Sequence, residues 1–337
     1  KNKGVIIMNK LTKIGVSALA GSLAAVSVNA AELTVTGSAT LSYLSTDQQN
    51  LATGNRFGSN STMAFTASGD VNGYTVTLMN ALSDTAGVSS HYLSIDMGDM
   101  GTLTFDQGVG GNGFASIDDT SPTAWEESWD QSATAGATVA GNQSTNTFKY
   151  TNTIAGIAIN AAYDPATGDT DQGDGGAGAA GVTGSSHGIA ISNSTLVDGL
   201  TVGAGFGSDD SNKSSTVIKD LESIGAYANY TFGPATVGYS FTETTGGASG
   251  HGANVTGAYG VVFAVNENLS ISYNEHTNSY HKAGGSADVD QTSTGMAIAY
   301  TMGSASIKIQ NNETKNDGGV TTAKTKENTE ISLGLAF

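Results

Sequence analysis

The densest group of side chains capable of chemistry is a run of carboxylates between residues 118 and 130. These are Asp118, Asp119, Glu126, Glu127 and Asp130. A cluster of carboxylates raises the local concentration of cations and disfavours anions. Trp125 and Trp129 lie four residues apart among them, which predicts a short helix packed against a neighbouring wall. The run predicts either an element that selects cations or a solvated loop whose charges only favour solubility.

A second group of acids crowds a glycine-rich stretch. Its members are Asp164, Asp169, Asp171 and Asp174. In composition they resemble a calcium-binding run. The glutamate that closes an EF-hand loop is missing at the required spacing. The stretch therefore predicts a weak structural calcium site or, alternatively, a mobile acidic loop without metal. No other cofactor is expected.

Residues for nucleophilic catalysis are sparse. The chain has no Cys and only five histidines, which are scattered along the sequence. His276 and His281 lie near Glu275, but in a segment, residues 275–290, that we interpret as an exposed loop. A Ser–His–acid enzyme stays open as an alternative, and our prediction is that the chain is not an enzyme.

Alternating side chains predict the elements that position these residues. In residues 33–43, Leu33, Val35 and Leu41 share one face, and threonines and serines occupy the other. This period of two is typical of a β-strand. It recurs along the chain and predicts sixteen strands: 33–44, 56–68, 74–82, 91–97, 102–107, 145–152, 156–163, 187–194, 200–207, 221–232, 235–243, 255–264, 269–274, 291–302, 305–311 and 329–337.

The connections between these strands alternate in length. Tight links such as Gly233-Pro234 and Gly303-Ser304 follow even-numbered strands, and long polar links such as residues 108–144 follow odd-numbered ones. This alternation is typical of an up-and-down antiparallel barrel in an outer membrane, with an apolar exterior and a polar lumen. A soluble sandwich has no reason to keep it. The predicted fold is all-β: a transmembrane barrel.

The N-terminal composition differs from the rest. Lys10 and Lys13 precede an apolar stretch and the small-residue run 28–31, which predicts a secretory signal peptide. We expect residues 1–30 to comprise upstream residues, a start at Met8 and the signal, and residues 31–337 to form one domain. The formal net charge of −17 becomes −21 once the four lysines before residue 31 are removed. So acidic a surface disfavours nucleic acid as a partner.

The C-terminal segment, residues 330–337, ends on Phe337 after apolar residues at every second position. It resembles the last strand of outer-membrane barrels, whose terminal Phe belongs to the signal read by the barrel-assembly machinery. Residues 96–105 are similar to the short turn and strand before the constriction loop in general diffusion porins of Gram-negative bacteria, especially alphaproteobacterial ones. The resemblance covers essentially all of residues 31–337, and the sixteen predicted strands match that family's number.

The resemblance implies that the third outer loop, here residues 108–144, folds into the lumen and narrows it. Porins of this kind face the acids of that loop with an arginine cluster, whereas this chain has a single arginine, Arg56. By strand alternation Arg56, Lys149 and Lys308 point into the lumen and are the candidates for the basic wall of the constriction.

The expected function is a water-filled, cation-preferring channel in the outer membrane for passive diffusion of ions and small hydrophilic solutes. The resemblance implies a homotrimer in outer-membrane lipid. Two alternatives share the fold: a substrate-specific channel, and a non-conducting structural or adhesive barrel.

Overall fold

A computed structural model describes residues 32–47, 54–84, 87–130, 140, 145–165, 185–210, 217–248, 251–282 and 288–337. The predicted signal peptide lies outside the described residues. Within them, no helix is long and apolar enough to span a membrane. The sixteen strands are β1 (Glu32–Asp47), β2 (Phe57–Val71), β3 (Tyr74–Ser83), β4 (Val88–Asp96), β5 (Thr102–Gln107), β6 (Thr145–Ile154), β7 (Ile157–Asp164), β8 (Ser186–Asn193), β9 (Leu200–Asp209), β10 (Val217–Phe232), β11 (Ala235–Ala248), β12 (His251–Ala264), β13 (Leu269–Lys282), β14 (Val289–Met302), β15 (Ala305–Lys315) and β16 (Lys326–Ala336).

These strands form one closed antiparallel barrel in which each strand pairs with its neighbours in sequence and β1 pairs with β16. The last residue completes the closure, because Phe337 N donates to Gly37 O (2.9 Å) and Gly37 N donates to Phe337 O (2.7 Å). A closed sheet leaves no unpaired strand edge, which is a requirement in lipid. The predicted sixteen-stranded barrel is therefore confirmed.

The two faces of each strand differ as the alternation predicts. On β15, Ile307 and Ile309 are exposed on the outside of the barrel. Lys308, between them, lines a cavity in the lumen, and Gln310 is buried there. The same arrangement on the other strands gives an apolar exterior and a polar interior, because successive side chains of a strand point to opposite faces.

Short connections join the strands at one end of the barrel. Between β2 and β3 only Asn72 and Gly73 intervene, and both adopt the left-handed conformation (φ 55° and 86°). A two-residue hairpin with positive φ at both positions follows the strand twist, and Asn-Gly is its preferred sequence. This end is called the short-connection end below.

The predicted strand boundaries were too short on β10 to β13. β13 runs to Lys282, so our assignment of residues 275–290 to a loop is wrong. The length alternation is also less strict than predicted, since only residues 249–250 separate β11 from β12. The polar residues that continue β11 to β13 resemble loop sequence, but they lie in paired strands that extend beyond the apolar band.

Phe337 also packs its ring on the outer face of the barrel. A side chain at position 37 would place its Cβ 2.4 Å from Phe337 Cε2, so Gly37 leaves the space that the ring fills. We expect Phe337→Ala to lower the barrel's unfolding temperature, because the lost ring contact contributes about 1 kcal/mol. Leu33→Ala, an exposed apolar residue at the same end, is the control. Equal shifts in heat-induced unfolding on gels would contradict a special role for the ring.

Candidate constriction in the barrel lumen

The connection between β5 and β6, residues 108–144, is called the third loop below. Its described part, residues 108–130, turns into the barrel. Its first turn is fixed by the buried carboxylate of Asp106, which accepts hydrogen bonds from Val109 N (2.8 Å) and Gly110 N (3.2 Å). Gly113 N then donates to Asn160 Oδ1 on β7 (2.9 Å). The loop is therefore tied to the inner wall from its start, as expected for an inward-folded third loop.

Glycines on the inner wall give the third loop its room. Five of them, here called the glycine track, have a loop residue where a side chain would stand: Gly205 (β9), Gly225 (β10), Gly238 (β11), Gly260 (β12) and Gly295 (β14). Phe114, fully buried, lies over the first two, and a Cβ at these positions would approach its ring to 2.7 and 2.9 Å. Contacts this close exclude any side chain there without movement of the loop.

The closest contacts between the loop and the glycine track involve the middle of the loop. A Cβ at Gly260 would lie 2.1 Å from the carbonyl oxygen of Pro122, and one at Gly238 would lie 2.7 Å from Pro122 Cδ. Further on, a Cβ at Gly295 would lie 2.8 Å from Ser128 Cβ. The loop therefore lies in direct contact with the wall at β11, β12 and β14.

Polar side chains of the wall hold the loop along the same path. Such hydrogen bonds each contribute about 1 kcal/mol, so several together fix one position. They are Asn229 Nδ2 to Thr120 O (2.8 Å), Ala124 N to Ser272 Oγ (2.8 Å), Ser128 N to Asn274 Oδ1 (3.0 Å) and Gln310 Nε2 to Glu127 O (2.9 Å).

The two tryptophans have different surroundings. Trp129 is buried and its ring lies 4.2 Å from that of His276, a buried residue of β13. Trp125 lies under the ammonium of Lys308, 5.9 Å from the ring centroid. Residues 121–130 form turns and bends and no helix, so the predicted short helix is wrong, while packing of Trp129 against the wall is observed.

The histidines lie differently from the sequence prediction. His276 points into the lumen from β13, and on the same strand Glu275 points outward, where Tyr259 and Tyr273 donate hydrogen bonds to it (2.8 and 3.2 Å). His281 pairs with Asp288 (2.9 Å). The placement of His276 and His281 in an outer loop is therefore wrong, and the side chains of Glu275, His276 and His281 do not converge on one site.

Burial in the lumen alters the acids of the third loop. Desolvation, with the charge of Asp119 adding to it, raises the pKa of Asp118 to about 7. Desolvation also raises the pKa of Glu127 to about 7, and neighbouring carboxylates add to the effect. Desolvation is also the main cause of the raised pKa of Glu126 and of Asp119. The loop thus brings Asp118, Asp119, Glu126 and Glu127 near one another inside the barrel.

The last acid of the run, Asp130, belongs to the same group. Its backbone N donates to Glu127 O (3.1 Å), and its charge contributes to the raised pKa of Glu126 and of Glu127. All five predicted acids therefore lie on the third loop where it follows the wall.

The basic residues do not form one wall. The guanidinium of Arg56 donates to Tyr43 Oη (3.1 Å) and Ser45 Oγ (3.2 Å), which have outward-facing positions on β1. Its predicted lumen orientation is wrong because β2 begins at Phe57, so strand alternation does not govern Arg56. Lys149 and Lys308 are on the lumen face as predicted, but β16 and β1 to β5 lie between their strands on the shorter way round the barrel.

A further lumen acid was missed by the sequence analysis. Glu330 on β16 lines the cavity that also holds Glu126 and Lys308. The strand alternation contained the signal: Ile331 is exposed on the outer face, so its neighbour Glu330 points into the lumen.

The predicted calcium residues are only partly described. Asp164 ends β7, and Asp169, Asp171 and Asp174 lie outside the described residues. Among the residues that the structure describes, no three His, Asp or Glu side chains are placed to hold a metal ion.

Comparison with known proteins gives a family and a fold. The family model described as Gram-negative porin matches residues 15–334. No curated protein matches the sequence. Among solved structures, a loop-deletion mutant of OmpT, an outer membrane protein of Vibrio cholerae, is 14% identical with a TM-score of 0.68, over 92% of this chain and 100% of that one.

Two other solved structures are similar at comparable identity. OmpF of Salmonella typhi, in complex with daunomycin, is 12% identical with a TM-score of 0.65, over 91% of this chain and 98% of its own. The anion-selective porin of Comamonas acidovorans is 14% identical with a TM-score of 0.64, over 91% of this chain and 100% of its own. These likenesses show that the fold is shared.

Proposed function

Because the chain belongs to the family of Gram-negative porins, we propose that it forms a water-filled, cation-preferring channel in the outer membrane. Ions and small hydrophilic solutes diffuse through it passively, with no chemical step and no cofactor. The observation that carries this proposal is the position of the third loop, which holds five carboxylates against the inner wall of a closed barrel.

The charge balance of the lumen supports cation preference. Where side chains are described on the lumen face of the strands, the five loop carboxylates and Glu330 outnumber three lysines, Lys149, Lys308 and Lys326. Fixed charges of one sign in a narrow pore concentrate counter-ions and exclude co-ions. The anion-selective porin of Comamonas acidovorans shares this fold, so the fold alone does not set ion selectivity, and we attribute the proposed cation preference to these side chains.

The partners follow from the family and the outer surface. One of the similar structures is a trimer form of Vibrio cholerae OmpT, and we propose a homotrimer here. We propose that the apolar exterior lies in outer-membrane lipid. Phe337, at the closing strand pair, is the residue we propose the barrel-assembly machinery reads, after export through a cleaved signal peptide.

The channel is tested by reconstituting the purified protein. We expect stepwise currents in planar bilayers, and liposome swelling rates that rise in proportion to solute concentration. Saturating flux would favour a substrate-specific channel. No current from correctly folded protein would favour a structural or adhesive barrel and overturn the proposal.

The raised pKa values predict a pH-dependent selectivity. Asp118 and Glu127, with pKa values of about 7, are mostly ionised at pH 8 and mostly protonated at pH 5.5 or so. Protonation removes negative charge, so the ratio of K⁺ to Cl⁻ permeability is expected to fall as the pH decreases from about 8 to 6. Carboxylates with ordinary pKa values stay ionised throughout this range.

The matched control for this pH dependence is the double variant Asp118→Asn and Glu127→Gln. It is expected to have a lower permeability ratio at pH 8 and a flatter dependence on pH. A wild-type ratio that is constant between about pH 6 and 8 would show that these groups titrate in their ordinary range.

A further inference from the structure

A cavity of about 570 Å³ lies in the lumen between the third loop and the wall made by β1, β15 and β16. Three charged side chains line it, Glu126, Glu330 and Lys308, together with Trp125. The rest of its lining includes hydroxyl groups from Ser38, Thr40, Ser42, Ser306 and Ser332. Both signs of charge and an aromatic ring therefore border one space.

Lys308 is available to a ligand. The ion pairs formed between described residues do not include it, and its ammonium lies over the Trp125 ring. An ammonium over an aromatic face keeps its donors on the side away from the ring, where they can bind an anionic group. Glu126 is close enough for its pKa to respond to the charge of Lys308, without forming a direct ion pair with it.

Glu330 stands diagonally across the strand pair from Lys308. In the register, Lys308 is opposite Ser332 and Gln310 is opposite Glu330. The Cα atoms of diagonal neighbours on one face of an antiparallel strand pair are about 7–8 Å apart. A solute that carries an ammonium and a carboxylate on the same carbon can bridge the side chains of Lys308 and Glu330, with each contact a charge-assisted hydrogen bond.

We propose that this cavity is a transit site for small zwitterions of the α-amino acid class. The carboxylate of the solute binds Lys308, its ammonium binds Glu330 and Glu126, and its side chain packs against Trp125. This inference rests on the proposed channel function and names a solute class for it. A simple cation gains only the acidic half of the site, whereas a zwitterion uses both halves.

The opposite side of the lumen lacks this chemistry. A second cavity, of about 470 Å³, is bordered by Tyr227, Asn160 and hydroxyl-bearing residues of β5 to β8, and its lining contains no charged side chain. Lys149, on β6, is a lumen lysine on the far side of the barrel from Lys308. It therefore provides a comparison for Lys308: the same residue type in the same lumen, outside the zwitterion site.

The test compares entry of L-alanine and of lactamide, an uncharged solute of similar size, into liposomes containing the channel. We expect wild-type protein to favour alanine, and Lys308→Met to lower the alanine-to-lactamide ratio by about threefold, as loss of one hydrated ion pair implies. Glu330→Gln is expected to lower it similarly. Glu327→Gln, on the outward-facing side of β16, is expected to leave it unchanged.

The outcomes separate this site from the channel itself. Lactamide entry and K⁺ current show that a variant is folded and forms an open pore. If wild-type protein shows neither, the proposed channel function is overturned, and not only the zwitterion site. Equal losses in Lys308→Met and Lys149→Met would mean that lumen lysines act only through the overall potential, which overturns the zwitterion site. A wild-type alanine-to-lactamide ratio at or below that of Lys308→Met would also overturn it.

Discussion

Replacing the five carboxylates of the third loop with their amides is expected to remove most of the channel's preference for cations. The changes are Asp118→Asn, Asp119→Asn, Glu126→Gln, Glu127→Gln and Asp130→Asn. Because fixed charge in a confined lumen sets the local counter-ion concentration, we expect the ratio of K⁺ to Cl⁻ permeability to fall on the order of tenfold. The zero-current potential in a KCl gradient measures this ratio.

A control variant separates local charge from net charge. It changes five exposed acids near the short-connection end to amides: Asp70, Asp96, Asp99, Asp198 and Glu267. The amides keep the acceptor oxygens that cap these turns, as in the bond from Gly98 N to Asp96 (2.9 Å). We expect a small change in this control. Equal effects in the two variants would contradict a selective role for the third loop.

Gly260→Val is expected to narrow the pore. Its Cβ would lie 2.1 Å from the carbonyl oxygen of Pro122, so either the wall or the loop has to move. The wall at Gly260 is paired to both β11 and β13, whereas the adjoining loop is held by a few side-chain hydrogen bonds of about 1 kcal/mol each. The loop therefore yields towards the pore axis, and single-channel conductance decreases.

Gly257→Val on the same strand is the matched control. A Cβ there would meet the hydroxyl of Tyr239 at 2.7 Å, and Tyr239 is an exposed side chain on the outer face that can swing into lipid. We expect the conductance of this control to equal that of wild type. If Gly260→Val also conducts like wild type, the loop does not lie against the wall at Pro122.

The barrel was predictable because its signal is local. Each strand exposes every second residue to one environment, so alternation in segments such as residues 305–310 reveals both the strand and its faces. The closing role of residues 330–337 was similarly visible. Strand ends were less visible, because polar residues such as Glu275 and His276 continue a paired strand beyond the apolar band and have the composition of a loop.

The arrangement of the candidate site depends on contacts that the sequence does not display. The glycine track consists of single glycines on separate strands, and only the closed barrel aligns them beneath Phe114, Pro122 and Ser128. Alternation predicted the correct face for Lys149 and Lys308. It does not show that their strands, β6 and β15, lie on different sides of the barrel, which only the strand order reveals. For Arg56 the alternation gave the wrong orientation, because this residue precedes the first residue of β2.

The central claim is that carboxylates held in the lumen by the third loop make this barrel a cation-preferring pore. The measurement that tests it most directly is the zero-current potential of the wild-type protein in a planar bilayer separating two KCl concentrations at about pH 8, where the loop acids are ionised. We predict a potential whose sign shows that K⁺ carries more current than Cl⁻. A potential of zero, or one of the opposite sign, would contradict the claim.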